Sequence, residues 1–186
     1  MNVHETTLMS AQGLKKRLQE IKKGERHWDK ESEYIVIKSM IEHIGTTDSE
    51  LRDELIYSTF CWLMIEKNEL KHEVLIELLD TCLNNLLLHG IGETETDSVF
   101  TRAFTTLLIA LILYRDNKDD FLTKGMVHEV KGKLIHYFNL EYDLRGYVPE
   151  KGWAHSVAHA ADAFDELVKN PKIDQDSYFH IFRNQS

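Results

Sequence analysis

The chain is poor in proline, with only Pro149 and Pro171 among 186 residues. Nothing before Pro149 breaks a helix outright, because proline both lacks the backbone donor and clashes with the preceding turn. Cysteine is as scarce. Cys61 and Cys82 are the only two, each lies in apolar helical sequence, and neither belongs to a paired metal motif. Their placement predicts buried, reduced thiols in an intracellular compartment rather than a disulfide framework. Long apolar runs are missing too. The most apolar stretch, Phe104 to Tyr114, sits between Arg102 and Arg115 and falls far short of the ~20 residues of a membrane span. It reads as a helix buried inside the protein. The opening MNVHETTLMSAQ has no apolar core of a signal peptide, so a cytoplasmic protein without a membrane segment is expected.

Excess positive charge is also absent. The formal net charge is -9, which argues against nucleic acid as a partner, since phosphates are repelled unless basic groups concentrate locally. The nearest approach to such a patch, Lys15, Lys16, Arg17, Lys22, Lys23 and Arg26, is interrupted by Glu20 and Glu25. It reads as the solvated face of a helix.

What is present is helical periodicity almost throughout. Leu14, Leu18 and Ile21 form one stripe, and Ile35, Ile37, Met40, Ile41 and Ile44 a second, ended by Gly45. Leu51, Leu55, Thr59, Trp62 and Leu63 mark a third helix. Leu75, Leu78, Leu79, Cys82, Leu83, Leu86 and Leu87 mark a fourth, whose wide apolar face must be covered on more than one side. Thr47 to Glu50 has the spacing of a capping box, and Thr94 to Asp97 repeats it with a shorter acid. The two threonines lie 47 positions apart. Each opens a pair of helices, about 48–66 with 69–89, then about 95–115 with 119–139. Recurrence every ~40–47 residues is the spacing of HEAT-type repeats. The expected fold is therefore one all-α domain over 1–186, built of antiparallel helix pairs as a HEAT-like α–α superhelix, without a sheet. A compact helical bundle is the alternative.

After about Tyr137 the pattern changes. The stretch 138–152, FNLEYDLRGYVPEKG, is too irregular for a helix and too aromatic for a flexible linker. Loops of this length in compact domains are usually functional or disordered. Its aromatics predict order, by packing against a seventh helix from about Trp153 to Lys169. Asn170 and Pro171 stop that helix. An eighth, from about Asp174 to Arg183, carries Tyr178, Phe179, Ile181 and Phe182 with no following helix to cover them. Either it folds back intramolecularly or a second copy covers it, so a homo-oligomer is one expectation.

The seventh helix holds the constellation with chemical potential. At about 100° per residue, Trp153, Val157, Ala160, Ala161, Phe164 and Val168 share one side. His155, His159, Asp162 and Glu166 share the other, and Ala154, Ala158 and Ala163 flank this polar stripe and leave it open. Three readings compete. His155 and His159, spaced i, i+4, are a known zinc geometry, although Ser156 stands where the zincin pattern has Glu. His155 and Asp162 lie about 10.5 Å apart along the axis, so a divalent metal would need ligands from another segment. In the second reading the stripe binds a ligand or moves a proton, with Asp162 orienting His159 and with Arg145, Tyr147 and Trp153 supplying anion and stacking contacts. In the third it is the wet face of an amphipathic helix, and Asp143 and Arg145 merely pin the loop. Elsewhere, Asp97 and Arg102 form either a buried pair or a helix-start carboxylate and a surface arginine. His128 and His136 look solvated. Gly125 and Gly132 suggest close helix contact.

The run DLRGYVPEKGWAHSVAHAADAFDEL, with DSVFTRAF at 97–104, resembles the bacterial family described as domain of unknown function 2785, over roughly 45 to 170. The resemblance implies an all-helical, HEAT-like bacterial protein and carries no established activity, substrate or catalytic residue. It also implies a chain shortened at its C-terminus. The reading that follows is a cytoplasmic helical-repeat binding module that recognises an unidentified protein or small ligand at 143–166. Arg145 would contact an anion or anchor the loop, Trp153 would pack the helix start, and Tyr147, His155, His159 and Asp162 would form the recognition face. A metal-assisted hydrolase using His155 and His159 is the alternative.

Overall fold

The helical periodicity folds as helices. The computed structural model describes residues 7–174. In chain order these form α1 (Ala11–Lys22), α2 (Glu33–Glu42), α3 (50–66), α4 (72–86), α5 (Ser98–Asp119), α6 (Lys124–Leu140), a two-stranded hairpin of β1 (Tyr147–Val148) and β2 (Gly152–Trp153), and α7 (Ser156–Lys169). The protein is all-α but for that hairpin. The expected eighth helix lies, apart from Asp174, outside the described residues.

Helices α3 and α4 are not uniformly wound. In α3, Ser58–Cys61 is α-helical between two wider π-wound turns, Glu50–Tyr57 and Trp62–Glu66. The last turn of α4, Cys82–Leu86, widens in the same way, so that Leu87 N–H bonds the Cys82 carbonyl at 2.9 Å. Apolar periodicity does not distinguish these windings, because both keep side chains on roughly the same face over a few turns.

Cross-contacts order the helices into two rows. Lys15 and Lys22 of α1 meet Asp48 and Glu54 at 2.6 and 3.8 Å. Tyr57 of α3 packs edge-on against Phe104 of α5, and Arg115 of α5 donates to the Met64 carbonyl. Phe104 meets His159 of α7, and Asn117 donates to the Glu166 carbonyl. Residue numbers rise together in each pair, so α1, α3, α5 and α7 run parallel. Likewise Lys30 and Lys38 pair with Glu69 and Glu77 beside α2 and α4, and α4 and α6 line a shared groove through Ile76, Leu83, Met126 and Glu129. The centre is α5, with 16 of 22 residues buried. It has the length and apolarity of a membrane helix, but 83% of its apolar window is covered by the other helices, as expected of a core helix. The most extensive helix–helix contact is that of α5 with α7.

Several local expectations are corrected. Neither capping box forms. Asp48, one residue past Thr47, caps α3 by accepting from Leu51 N–H at 3.1 Å, and Glu50 turns to Lys15 and Gln19. Asp97 makes no side-chain cap and pairs with Lys151 at 2.6 Å. The cysteines are as expected, both free and at least partly buried, Cys61 half and Cys82 fully. His136 is exposed, while His128 is half-buried and bonds the Lys172 carbonyl. The close helix approach is at Gly45, not at Gly125 or Gly132. A Cβ on Gly45 would stand 1.9 Å from Thr101 Oγ1 and 2.7 Å from its Cα, whereas at Gly132 nothing lies within 4 Å.

The two glycines therefore predict opposite responses in urea denaturation. Gly45→Ala must push the turn that follows α2 off Thr101 of α5 and costs about 2 kcal/mol or more. Gly132→Ala, in the open interior of α6, stabilises by roughly 0.5–1 kcal/mol. Equal midpoints for the two variants would contradict this packing.

Candidate functional site

The segment after α6 is held by buried charge. Arg102 lies in the first turns of α5 with 0% of its surface exposed. Its Nε and Nη2 donate to the two oxygens of Glu141 at 2.6 and 2.9 Å, and Nη1 donates to the His89 and Gly90 carbonyls and to Ser98. Arg102 is thus neither a surface group nor paired with Asp97, because the α6 end brings a carboxylate directly over it. Glu141 also accepts from Asp143 N–H. Asp143, itself buried, is gripped by Arg145 through Nε and Nη2 at 2.8 and 2.7 Å, and accepts from Glu95 N–H at 3.0 Å. Burial alone would raise the Asp143 pKa, but the Arg145 side-chain and backbone bonds hold it below the usual carboxylate value. Ser156 at the start of α7 donates to the Asp143 carbonyl at 2.6 Å.

A second buried guanidinium holds the hairpin. Arg52 of α3 donates to the Thr46 carbonyl and, across 99 positions, to the Lys151 carbonyl, both at 2.8 Å. It lies over the rings of Phe100 and Phe104, 4.3 and 4.8 Å from their centroids, and its Nε is 2.7 Å from Asp53. Gly152 makes this approach geometrically possible. Its φ is +85°, and an added Cβ would meet Ser49 Cβ at 2.9 Å and Arg52 Nη2 at 3.0 Å. Only glycine combines that conformation with that clearance.

On this base stands a ladder of rings. Tyr147 meets Trp153 edge to face at 5.1 Å between centroids. Trp153 stacks flat on His155 at 4.3 Å, His155 meets His159 at 5.8 Å, and His159 meets Phe104 at 5.4 Å. Tyr147 and Trp153 remain 59% and 50% exposed. Trp153 thus packs on the residue that caps α7, but from β2 and with half of its surface in water. His155 precedes α7 in the left-handed conformation, φ 51°, and its carbonyl accepts the first helical bond, from His159 N–H.

Helix α7 is rotated relative to the expected stripe. Its buried residues are Ser156, Ala160, Ala163 and Leu167, while Val157 and Ala161 face outward. Ala163, expected beside the polar stripe, is core. His159 lies on the flank of the buried face, with its side chain 16% exposed. Burial, then the positive fields of His155 and Arg52, lower its pKa to about 4. Asp162 is 3.9 Å from His159 Nδ1, too long for a hydrogen bond. Burial and Asp165 raise its pKa. The 138–152 loop is ordered, but not by its aromatics as a group. Phe138 packs on Phe164 of α7 at 5.9 Å, whereas Tyr142 is 65% exposed.

Five of the six expected site residues thus share one surface: Tyr147, Trp153, His155, His159 and Asp162. Arg145 is the loop anchor, occupied by Asp143 and the Thr96 carbonyl. Among the described residues no group of three or more His, Cys, Asp or Glu side chains has the arrangement to hold a metal ion, so His155 and His159 stand as a pair. Sequence reading missed Arg52, Phe100, Phe104 and Tyr57, which form the floor. Their one legible trace is an arginine inside an apolar stripe.

The fold and site define an all-α protein whose distinctive surface rides on a short hairpin clamped beside the central helix. The family model "Protein of unknown function (DUF2785)" matches residues 87–184, and the chain belongs to that family. The match contains Arg102, Glu141, Asp143, the hairpin and α7. No curated protein and no solved structure matches the chain.

Two outcomes follow. Arg102→Met leaves the Glu141 carboxylate buried without its partner and costs about 3–5 kcal/mol in urea denaturation, while Arg102→Met with Glu141→Leu costs less than Arg102→Met alone. A loss below 1 kcal/mol for the single variant contradicts the anchor. His159, with its folded pKa of about 4 against an ordinary 6.5, binds its proton more readily when the chain is unfolded. Its contribution is then fully present above pH 6.5 and is lost as pH falls towards 4, by roughly 3 kcal/mol. His159→Phe flattens that slope, measured as urea midpoints at pH 4.5, 5.5 and 7. An unchanged slope would show that His159 is not buried in its neutral form.

Proposed function

We propose that this chain is a cytoplasmic binding module, built as a HEAT-like α–α superhelix, that recognises a partner on the surface lined by the hairpin and α7. The parallel odd-numbered and even-numbered rows support the superhelical reading, since stacked helix pairs place first helices beside first helices and second beside second. One observation carries the functional reading. Two buried arginines and a buried aspartate hold a two-residue-per-strand hairpin that leaves a tryptophan and a tyrosine half in water. Burying guanidinium and carboxylate groups is costly, and a loop whose only task was connection has no need of them. Tryptophan and tyrosine are the side chains that dominate binding surfaces, because a rigid ring gives large contact area at little entropic cost.

The hydrolase alternative needs a third metal ligand that the described residues do not bring to His155 and His159. Affinity enrichment from host lysate, with the variants run in parallel, tests the binding reading. The expected result is a partner retained by the wild-type chain and by Tyr34→Ala, an exposed tyrosine on α2, but weakened tenfold or more by Trp153→Ala and Tyr147→Ala. A partner that ignores Trp153 and Tyr147 and depends on Tyr34 places recognition on the other row.

A further inference from the structure

Among the described residues, the accessible lysine and arginine beside the ring ladder are already engaged, whereas two carboxylates, Glu150 and Asp162, are not. Arg145 is held by Asp143 and the Thr96 carbonyl. Lys151 gives its ammonium to both oxygens of Asp97, at 2.6 and 2.9 Å. Arg52 is wholly buried. By contrast Glu150, at the exposed hairpin tip with φ +65°, has no ion-pair partner among the described residues. Asp162, whose side chain is 62% exposed, has only the 3.9 Å approach to His159. The two carboxylates stand at opposite ends of the ladder: Glu150 lies three residues from both Tyr147 and Trp153, and Asp162 one helical turn past His159.

From this geometry we propose that the surface takes an extended, basic segment of a partner protein, with lysine or arginine side chains laid against the Tyr147–Trp153–His155 rings and directed to Glu150 and Asp162. This rests on the recognition reading above and names its chemistry. The ring centroids from Tyr147 to His159 span at most about 15 Å, the length of four or five extended residues. Indole and phenol faces attract cations, arginine above all, and the chain's net charge of -9 steers a basic partner towards it. Among the described residues, an anionic ligand would find no free lysine or arginine on this face.

The test is a titration of the isotopically labelled protein with amidated pentalysine and pentaarginine, read at the indole N–H signals. Trp28 Nε1 is bonded to Glu33 at 2.7 Å and Trp28 packs on Trp62, so those two signals report folding while Trp153 reports the surface. The expected result is a saturable shift of the Trp153 signal, reversed by 0.5 M salt. Tyr147→Ala, which keeps the Trp153 reporter, weakens affinity roughly 5- to 30-fold. Glu150→Gln with Asp162→Asn weakens it at least fivefold and lowers its salt dependence. Glu129→Gln, on the exposed side of α6, leaves it unchanged. Loss to the same degree with Glu129→Gln means diffuse attraction to an acidic protein and overturns the proposal. So does a Trp153 signal that no basic peptide moves. A Trp153 shift with pentaglutamate or a neutral serine–glycine peptide instead overturns the basic assignment while leaving the recognition surface standing. Dependence of the enriched partner on Trp153 fails separately, and its failure removes the surface itself.

Discussion

The bidentate pairing of Arg102 with Glu141 is the constraint on which the site depends. A guanidinium placed within a helix buried along most of its length has to be met by an anion, because an unpaired buried charge costs several kcal/mol. Glu141 is the first residue beyond α6, so meeting Arg102 ends that helix and turns the chain back over the start of α5. The remaining Arg102 donors satisfy the His89 and Gly90 carbonyls and Ser98, which joins the α4–α5 connection to the same point. Planar, five-donor arginine suits this role; lysine carries its three donors on a single atom and cannot span the carboxylate and the carbonyls in the same fork geometry.

From that point each anchor positions the next. Glu141 accepts from Asp143, Asp143 grips Arg145 and receives Ser156, and the Gly146 and Arg145 carbonyls accept from Ala154 and His155. Arg52 ties the far side of the hairpin to α3. The exposed rings are consequently preformed. On the proposed reading, a partner meeting them has little ordering cost to offset, which favours affinity from a surface of only a few residues. The neutral, buried His159 gives the ladder an uncharged floor between Phe104 and His155.

The helices were legible because their signals are local. Stripes at 3.6-residue spacing and the lack of proline before Pro149 placed α1 to α6 within a few residues. The resemblance of RGY…GWAHSVAHAAD pointed to the family that the chain belongs to. What escaped depends on contacts between distant residues. Arg102 and Glu141 are 39 positions apart and Arg52 and Lys151 are 99 apart, and nothing in a single sequence pairs them. The α7 boundary came out three residues early because helical periodicity continues through Trp153, although the positive φ of Gly152 and His155 stops the helix there. Thr47 was chosen as a cap over Asp48 because both are good cap residues and only the geometry separates them. Gly45 and Gly132 look alike in sequence, and only the position of Thr101 tells them apart.

Buried Arg102 holds the ring-bearing hairpin in place. Amide hydrogen exchange at Ala154 and His155, whose N–H groups bond the Gly146 and Arg145 carbonyls at 2.8 and 3.2 Å, reads this directly when the wild type is compared with Arg102→Lys. The prediction is protection of both amides in the wild type, and its loss in Arg102→Lys while α1 to α3 keep theirs. Fast exchange of both amides in the wild-type chain, or equal protection in the two proteins, would contradict it.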